Sequence, residues 1–419
     1  MKKGTIVLRL LLAVLLVIGL CSCQKETRSF LAPKDQPNSV LSLKEYRYDW
    51  IVSHMLLEER VGQLLVVEYR YPDLSDNFKQ TLQNIKPGGF ILFGQNISTY
   101  ERTLQLVKDI KATAEIPMFI SIDQEGGIVD RLINLKDSRY SVFKAPSMRT
   151  VGRSNNPDYA YQLGKVIGKM CRVFGINMDF APVADILINK NNQIIADRSF
   201  GSDEQLVSEM AIALARGLES EHVIAVFKHY PGHGSTQEDS HVQLPVLKKS
   251  LAELWQLELL PFKKAVDAGA SAIMAGHIVI RDLHDQNDEY YNRPASLDPA
   301  AINGLLRTEM GYQNLVVTDS LQMAGAYGGK LRSEEDILIA AVNAGCDLLL
   351  CPVNAQRAYD FLLQAVKDGR ISEERLNESV IRILKVKDQM ISDYDDYYLE
   401  PKYLNDPSYS ELLKQIKGQ

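Results

Sequence analysis

From about residue 60 the chain alternates short runs of β-branched and apolar residues with longer stretches whose apolar positions recur every three or four residues. The first pattern suits a strand buried on both faces and the second a helix with one apolar stripe. Their regular alternation predicts a parallel sheet wound with crossover helices. Eight such runs occur, at 64–68, 89–93, 118–123, 176–182, 224–229, 272–277, 315–319 and 348–351. Helices are predicted between them over 100–113, 157–174, 203–220, 250–268, 299–310, 333–344 and 355–367. Eight strand–helix units over roughly 330 residues predict an α/β fold, a single (β/α)8 TIM-like barrel longer than the typical ~250 residues and therefore with sizeable loops. A doubly wound open sheet is the alternative.

The polar residues that interrupt this pattern fall in a telling place. Glu68, Asp123, Asp185 just beyond its run, Lys228 with His229, His277 and Asp319 all stand at the C-terminal ends of runs. In a barrel those ends converge on one mouth, where active sites form. Purely structural strands would have no reason to collect acids and histidines there, because unpaired buried charge is strongly unfavourable.

The beginning of the chain follows a different pattern. Met1-Lys2-Lys3-Gly4 precedes an apolar stretch from Thr5 to Leu20 broken only by Arg9, which has the charged start and short hydrophobic region of an export signal. It is too short for a comfortable membrane span. Leu20-Cys21-Ser22-Cys23 resembles the bacterial lipoprotein box, with Cys23 as the acylated residue because small Ser22 precedes it. The expected organisation is a signal over 1–22, a tether over 23–45, a barrel over 46–392 and an acidic, tyrosine-rich tail over 393–419. The expected location is the cell envelope, the membrane being reached through the lipid.

The net charge of -6 brings no basic excess and argues against nucleic acid as a partner; a neutral or partly anionic small substrate suits the chain better. Cys171, Cys346 and Cys351, left after the two signal cysteines, show no metal-like spacing and imply no disulfide framework. No cofactor is expected, and the oligomeric state is left open.

The densest chemistry is Lys228-His229-Tyr230-Pro231-Gly232-His233-Gly234, continuing to Asp239-Ser240-His241. The glycines and the proline allow a sharp turn into a loop. His229, His233, Asp239 and His241 could ligate a metal, but their spacing matches no specific metal pattern, so no metal is expected. A structural role for each is the default taken singly. Acid/base work is favoured: Asp239 can fix one ring nitrogen of His241 and leave the other to move a proton. Leu315-Val316-Val317-Thr318-Asp319-Ser320 ends an apolar run on an acid that could attack an anomeric carbon. Asp123-Gln124-Glu125-Gly126-Gly127 followed by Arg131, and Arg198 after the fourth run, offer groups that bind sugar hydroxyls or pair with neighbouring acids.

Together these motifs resemble glycoside hydrolase family 3, and within it the bacterial β-N-acetylglucosaminidases, over about residues 62–383. The Lys-His-aromatic-Pro-Gly-His-Gly stretch leading to Asp239-Ser240-His241 is the most specific element, since that triplet resembles the loop of the acetylglucosaminidase branch. The resemblance implies a retaining, exo-acting enzyme. It implies that Asp319 is the nucleophile and His241 the acid/base with Asp239 as its partner. Asp123, Arg131, Arg198, Lys228 and His229 are implied to hold the terminal sugar. The sequence departs from many members of the family in showing one barrel without their second α/β domain, so every pocket residue is expected to come from the barrel. Among enzymes a β-glucosidase or β-xylosidase of the same family is the nearer rival and a metal hydrolase the farther one; a non-catalytic lipid-anchored glycan-binding protein is the alternative from a different class.

Overall fold

The computed structural model describes residues 43–236, 244–327, 333–391, 394 and 396–418. The signal segment, Cys23 and most of the tether therefore lie outside the described residues, as do Asp239 and His241. A helix, Leu43–His54, begins at three residues that the sequence pattern assigns to the tether.

Each of the eight apolar runs contains a strand: β1 (Leu65–Glu68), β2 (Gly89–Leu92), β3 (Phe119–Ile122), β4 (Met178–Asp179), β5 (Ile224–Tyr230), β6 (Ala272–Ala275), β7 (Leu315–Thr318) and β8 (Leu349–Leu350). All pair in parallel, in the order β7-β6-β5-β4-β3-β2-β1-β8. A bridge between Val317 and Leu348 and a bond from Leu350 N to the Thr318 hydroxyl (3.0 Å) join the two ends into a ring. The fold is thus a (β/α)8 barrel, and the open-sheet alternative falls because a ring leaves no edge. Strand residues such as Val66, Phe90, Ile120 and Val316 are fully buried, as continuous apolar runs covered by helices should be.

The helices start where the sequence supplies a cap. Thr99, Asn156, Asp203, Ser333 and Asn354 each accept a bond from a backbone N–H of the first turn, an arrangement that contributes about 1 kcal/mol per helix. The helix predicted over 250–268 is two helices, Leu251–Gln256 and Leu260–Asp267. Pro261 decides this: its ring clashes with the preceding turn and it has no N–H, so it is accommodated only in the first turn of a helix. The stretch predicted over 299–310 is helical over Ala300–Glu309 with the wider π spacing, Met310 N bonding to Leu305 O at 2.9 Å.

One buried acid at the opposite end of the barrel shows what a structural charge looks like here. Asp347, just before β8, receives Arg307 (2.7 Å), Arg375 (3.2 Å), Arg382 (3.2 Å), Ser379 (2.8 Å) and Val316 N (3.0 Å). Every lone pair is used, and nothing is left for a ligand. The tail acts as a strap: buried Arg172 donates to the carbonyls of Tyr394 and Tyr397, and Leu399 N returns to Arg172 O at 3.1 Å. A closing helix, Pro407–Lys417, follows.

Candidate active site

The mouth is organised from the β3 loop. Directly after β3 the chain makes a short hairpin, Gln124–Gly126 against Val129–Asp130. Gly126 turns it with φ +88°, and a Cβ there would meet Pro146 O at 2.7 Å, so glycine is required on both counts. Gln124 pins the hairpin, donating to Asp130 (2.8 Å) and accepting from Arg131 N and Leu132 N (3.0 and 3.1 Å). Asp123 and Glu125 are thereby both brought within reach of Lys228, with Arg131 beside Asp123.

β5 supplies the counter-charge. Its pairing with β6 slips in register between Phe227 and Tyr230, an irregularity of the kind that re-aims side chains beside active sites. Lys228 Nζ lies 2.7 Å from Asp123 Oδ1 and 2.6 Å from Glu125 Oε1. Arg198 grips the same Glu125 with two parallel bonds of 2.8 Å, the bidentate geometry that fixes a guanidinium in place. Arg131 Nη2 lies 3.9 Å from Asp123 Oδ2. His229 places Nδ1 2.7 Å from Asp185 Oδ2 and Nε2 3.4 Å from Arg198. The short contact with Asp185 fixes the orientation of the His229 ring.

Asp185 also anchors the following loop through His233 N (2.6 Å). His233 Nδ1 meets the Thr236 hydroxyl at 2.7 Å, and Asn192 Nδ2 donates to the carbonyls of His233 (2.8 Å) and Thr236 (3.1 Å). A Cβ on Gly234 would lie 1.7 Å from Ile186 O, so this loop packs against the β4 loop only because residue 234 is glycine. The stem that precedes residue 237 is thus held at several points.

Asp319 follows β7 on the same mouth. Its N–H bonds to Ala275 O at 2.9 Å, and one of its carboxylate oxygens accepts from Ser320 N at 2.7 Å. Burial alone would raise its pKa, but the neighbouring His229 and His277, the Ser320 N–H and Lys228 together hold the carboxyl below the usual range. It is therefore an anion at neutral pH. The same contest is settled the same way for Glu125, where burial is outweighed by Arg198 and Lys228, and for Asp185, where it is outweighed by His229 and His233. Lys228, likewise buried, is held above the usual lysine range by Asp123 and Glu125. Asp179, at the end of β4, is the exception. One oxygen accepts from Gln124 N (2.9 Å), the other has no hydrogen-bond partner among the described residues, and burial pushes the carboxyl well above the usual carboxylate range.

Six of the residues singled out in the sequence, Asp123, Arg131, Arg198, Lys228, His229 and Asp319, therefore share one mouth. Asp239 and His241 lie outside the described residues. Glu125 and Asp185 were noted in the sequence but given no specific role at the site, yet they hold Lys228, Arg198 and His229 in place. The available signals were Glu125's two-residue spacing from Asp123 and Asp185's position just past a strand end. Such an array can hold several hydroxyls of one neutral sugar with charge-assisted bonds while presenting one ionised carboxylate, Asp319, as a nucleophile.

Comparison with known proteins agrees with this geometry. Residues 56–386 match the family described as glycosyl hydrolase family 3 N terminal domain. Beta-hexosaminidase A of Pseudoalteromonas piscicida is 30% identical over 394 residues, spanning 85% of this chain and 65% of that protein. Beta-hexosaminidase of Nitrosomonas eutropha is 31% identical over 330 residues, spanning 75% of this chain and 90% of that protein. The solved structure of a glycoside hydrolase family 3 β-N-acetylglucosaminidase from a Paenibacillus species superposes with a TM-score of 0.78 at 34% identity, covering 86% of this chain and 68% of that one.

Proposed function

The chain belongs to glycosyl hydrolase family 3, and from that premise we propose that it is a retaining, exo-acting β-N-acetylglucosaminidase that hydrolyses terminal β-linked N-acetylglucosamine from glycans. The observation that carries the reading is the pairing of an ionised Asp319 with the Asp123–Lys228–Glu125–Arg198–His229 array on one barrel mouth. The β-hexosaminidase relatives favour the acetylated sugar over glucose or xylose.

Asp123, Lys228, His229, Arg131 and Arg198 seat the terminal sugar. Asp319 attacks the anomeric carbon, the bond to the leaving oxygen breaks, and His241, oriented by Asp239, gives that oxygen its proton. The neutral imidazole then takes a proton from water, which attacks the glycosyl-enzyme ester and releases the sugar with its β configuration kept.

Aryl β-N-acetylglucosaminide is expected to release its phenol, and the matching β-glucoside to be turned over at least ~100-fold more slowly, as expected when a pocket built to bond an acetamido group is left partly unpaired. Preference for the glucoside would move the protein to the rival branch. In the same assay His241→Ala should lose far more activity on poor leaving groups than on good ones, since only the former need a proton. Equal losses on both would remove His241 from the acid role.

The chain is further read as lipid-anchored at Cys23 in the cell envelope, where peptidoglycan fragments are accessible substrates. The export-type start and the Leu20-Cys21-Ser22-Cys23 stretch support this. Labelled fatty acid should be incorporated by cells expressing the wild type and not Cys23→Ala; equal labelling would overturn the anchor.

A further inference from the structure

Beside the sugar-holding residues the mouth opens into a cleft of about 610 Å³ lined by the loops after β1, β2 and β3, with Arg70, Phe93, Gln95, Arg131, Asn134 and Lys136 among its walls. Its volume suits one small ligand group of one or two sugar units. Three of the lining residues are cationic and none is acidic. In a chain whose net charge is -6, this concentration of one sign runs against the overall balance.

The cations are held differently. Arg70 is fixed in orientation: Nε and Nη2 donate to Glu68 (3.1 and 2.8 Å), and the guanidinium lies 4.2 Å from the centre of the Phe93 ring. Its Nη1 edge makes no hydrogen bond among the described residues. Glu68 is itself held by Gln322 at 3.0 Å, so the support does not depend on a ligand. Lys136 is exposed and has no ion pair among the described residues. Arg131 belongs to both regions, because it lines the cleft while standing 3.9 Å from Asp123. The cleft and the sugar pocket therefore share a wall. Glu68 offsets part of the charge of Arg70 and Asp123 part of that of Arg131, but three cations along one concave wall with no acid among the lining residues still give a positive potential that favours an anion there. Gln95 and Asn134 add neutral donors that suit carboxylate or sulfate oxygens.

We propose that this cleft is a second binding site, which takes an acidic substituent, a carboxylate or a sulfate ester, on the glycan whose terminal N-acetylglucosamine fills the sugar pocket, so that anionic substrates are preferred over neutral ones. The inference rests on reading Asp123 and Arg131 as sugar-holding residues. The acidic group could be borne by the leaving group or by the released sugar itself, and the test separates these sources.

Three chromogenic substrates suffice: the 4-nitrophenyl β-N-acetylglucosaminide, its 6-O-sulfate, and an analogue with a carboxylate on the aryl ring. At low salt one of the two anionic substrates should exceed the neutral one in kcat/KM, relative to the Arg70→Gln/Lys136→Gln variant, by about 10-fold. The identity of that substrate tells which end carries the charge. The advantage should fade between about 50 and 500 mM salt, shrink several-fold in Lys136→Gln and invert in Lys136→Glu, while the neutral substrate stays within about twofold throughout. Absence of any charge preference, or its survival in the double variant, overturns the proposal. If the wild type hydrolyses none of the three, the acetylglucosaminidase reading fails instead. The unhydrolysed glycosides are then titrated by calorimetry, where the same charge preference and its loss in the double variant are required, and equal binding of charged and neutral glycosides overturns the cleft.

Discussion

Replacing Asp319 with alanine is expected to lower kcat on an aryl β-N-acetylglucosaminide by about 10⁴-fold or more, the range seen when a covalent nucleophile is removed. The fold should survive. The variant loses one bond to Ser320 N and the attraction of His229, His277 and Lys228, but it also sheds the cost of keeping a carboxylate away from water, and these effects oppose one another. A small anion such as azide, able to enter the space vacated by the carboxylate, should restore release of the phenol and give a glycosyl azide of α configuration. The wild type should give β-sugar as its first product, because it displaces twice at the same carbon. Stopped turnover with an intact melting transition, rescued by azide, identifies the nucleophile. Activity within tenfold of wild type would dismiss Asp319 from that role and with it the retaining mechanism.

Lys228→Met is expected to have the second largest effect, this time on stability. The ammonium sits between Asp123 and Glu125, and both Lys228 and Glu125 are almost inaccessible, with side chains 2% and 1% exposed. Removing the cation leaves Glu125 with Arg198 alone and Asp123 with the more distant Arg131, and breaking a buried pair in this way costs about 3–5 kcal/mol. Chemical denaturation should show the loss at pH 7. Its pH dependence follows from Glu125, whose carboxyl is held below its ordinary value in the folded chain. A depressed acid contributes stability that is present above its unfolded pKa and lost as pH falls through the folded value. The gap between wild type and variant should therefore be full from about pH 6 upward and begin to close below about pH 4. Adding Glu125→Gln should cost less than the sum of the two single changes, since the second removes the charge that the first left uncompensated. A variant as stable as wild type would mean that Lys228 is not part of the support of this mouth.

Much of this arrangement was legible before the fold was known, for reasons specific to each residue. Lys228, His229 and Asp319 end or follow apolar runs, where a charged or titratable group has no structural excuse, and in a barrel all such positions meet. Asp347 shows the limit of that argument. It too is an acid beside an apolar run, but it precedes β8 instead of following it and is fully consumed by three arginines and a serine. Glu125 was harder to single out because it lies past the strand, in a hairpin whose existence depends on Gly126 and on Gln124 bonding across it. The helix predicted over 250–268 failed for an opposite reason: the apolar period continues through Pro261, but the backbone cannot.

The sequence by itself determined the number and order of strands, the placement of helices between them, and the kinds of side chain delivered to the mouth. These are local properties, written in the spacing of apolar residues over a few turns or a few strand positions. Only the tertiary structure decided that the sheet closes into a ring, that Lys228 meets an aspartate 105 residues earlier, and that Arg198 and Asp185 hold Glu125 and His229 in place. It also decided how each acid is tuned: Asp319 and Asp179 are the same residue type on one barrel, yet the first carboxyl is held below the usual range and the second is pushed well above it. Burial penalises both charges equally in kind, and what separates them is which distant side chains converge on each carboxyl once water is excluded.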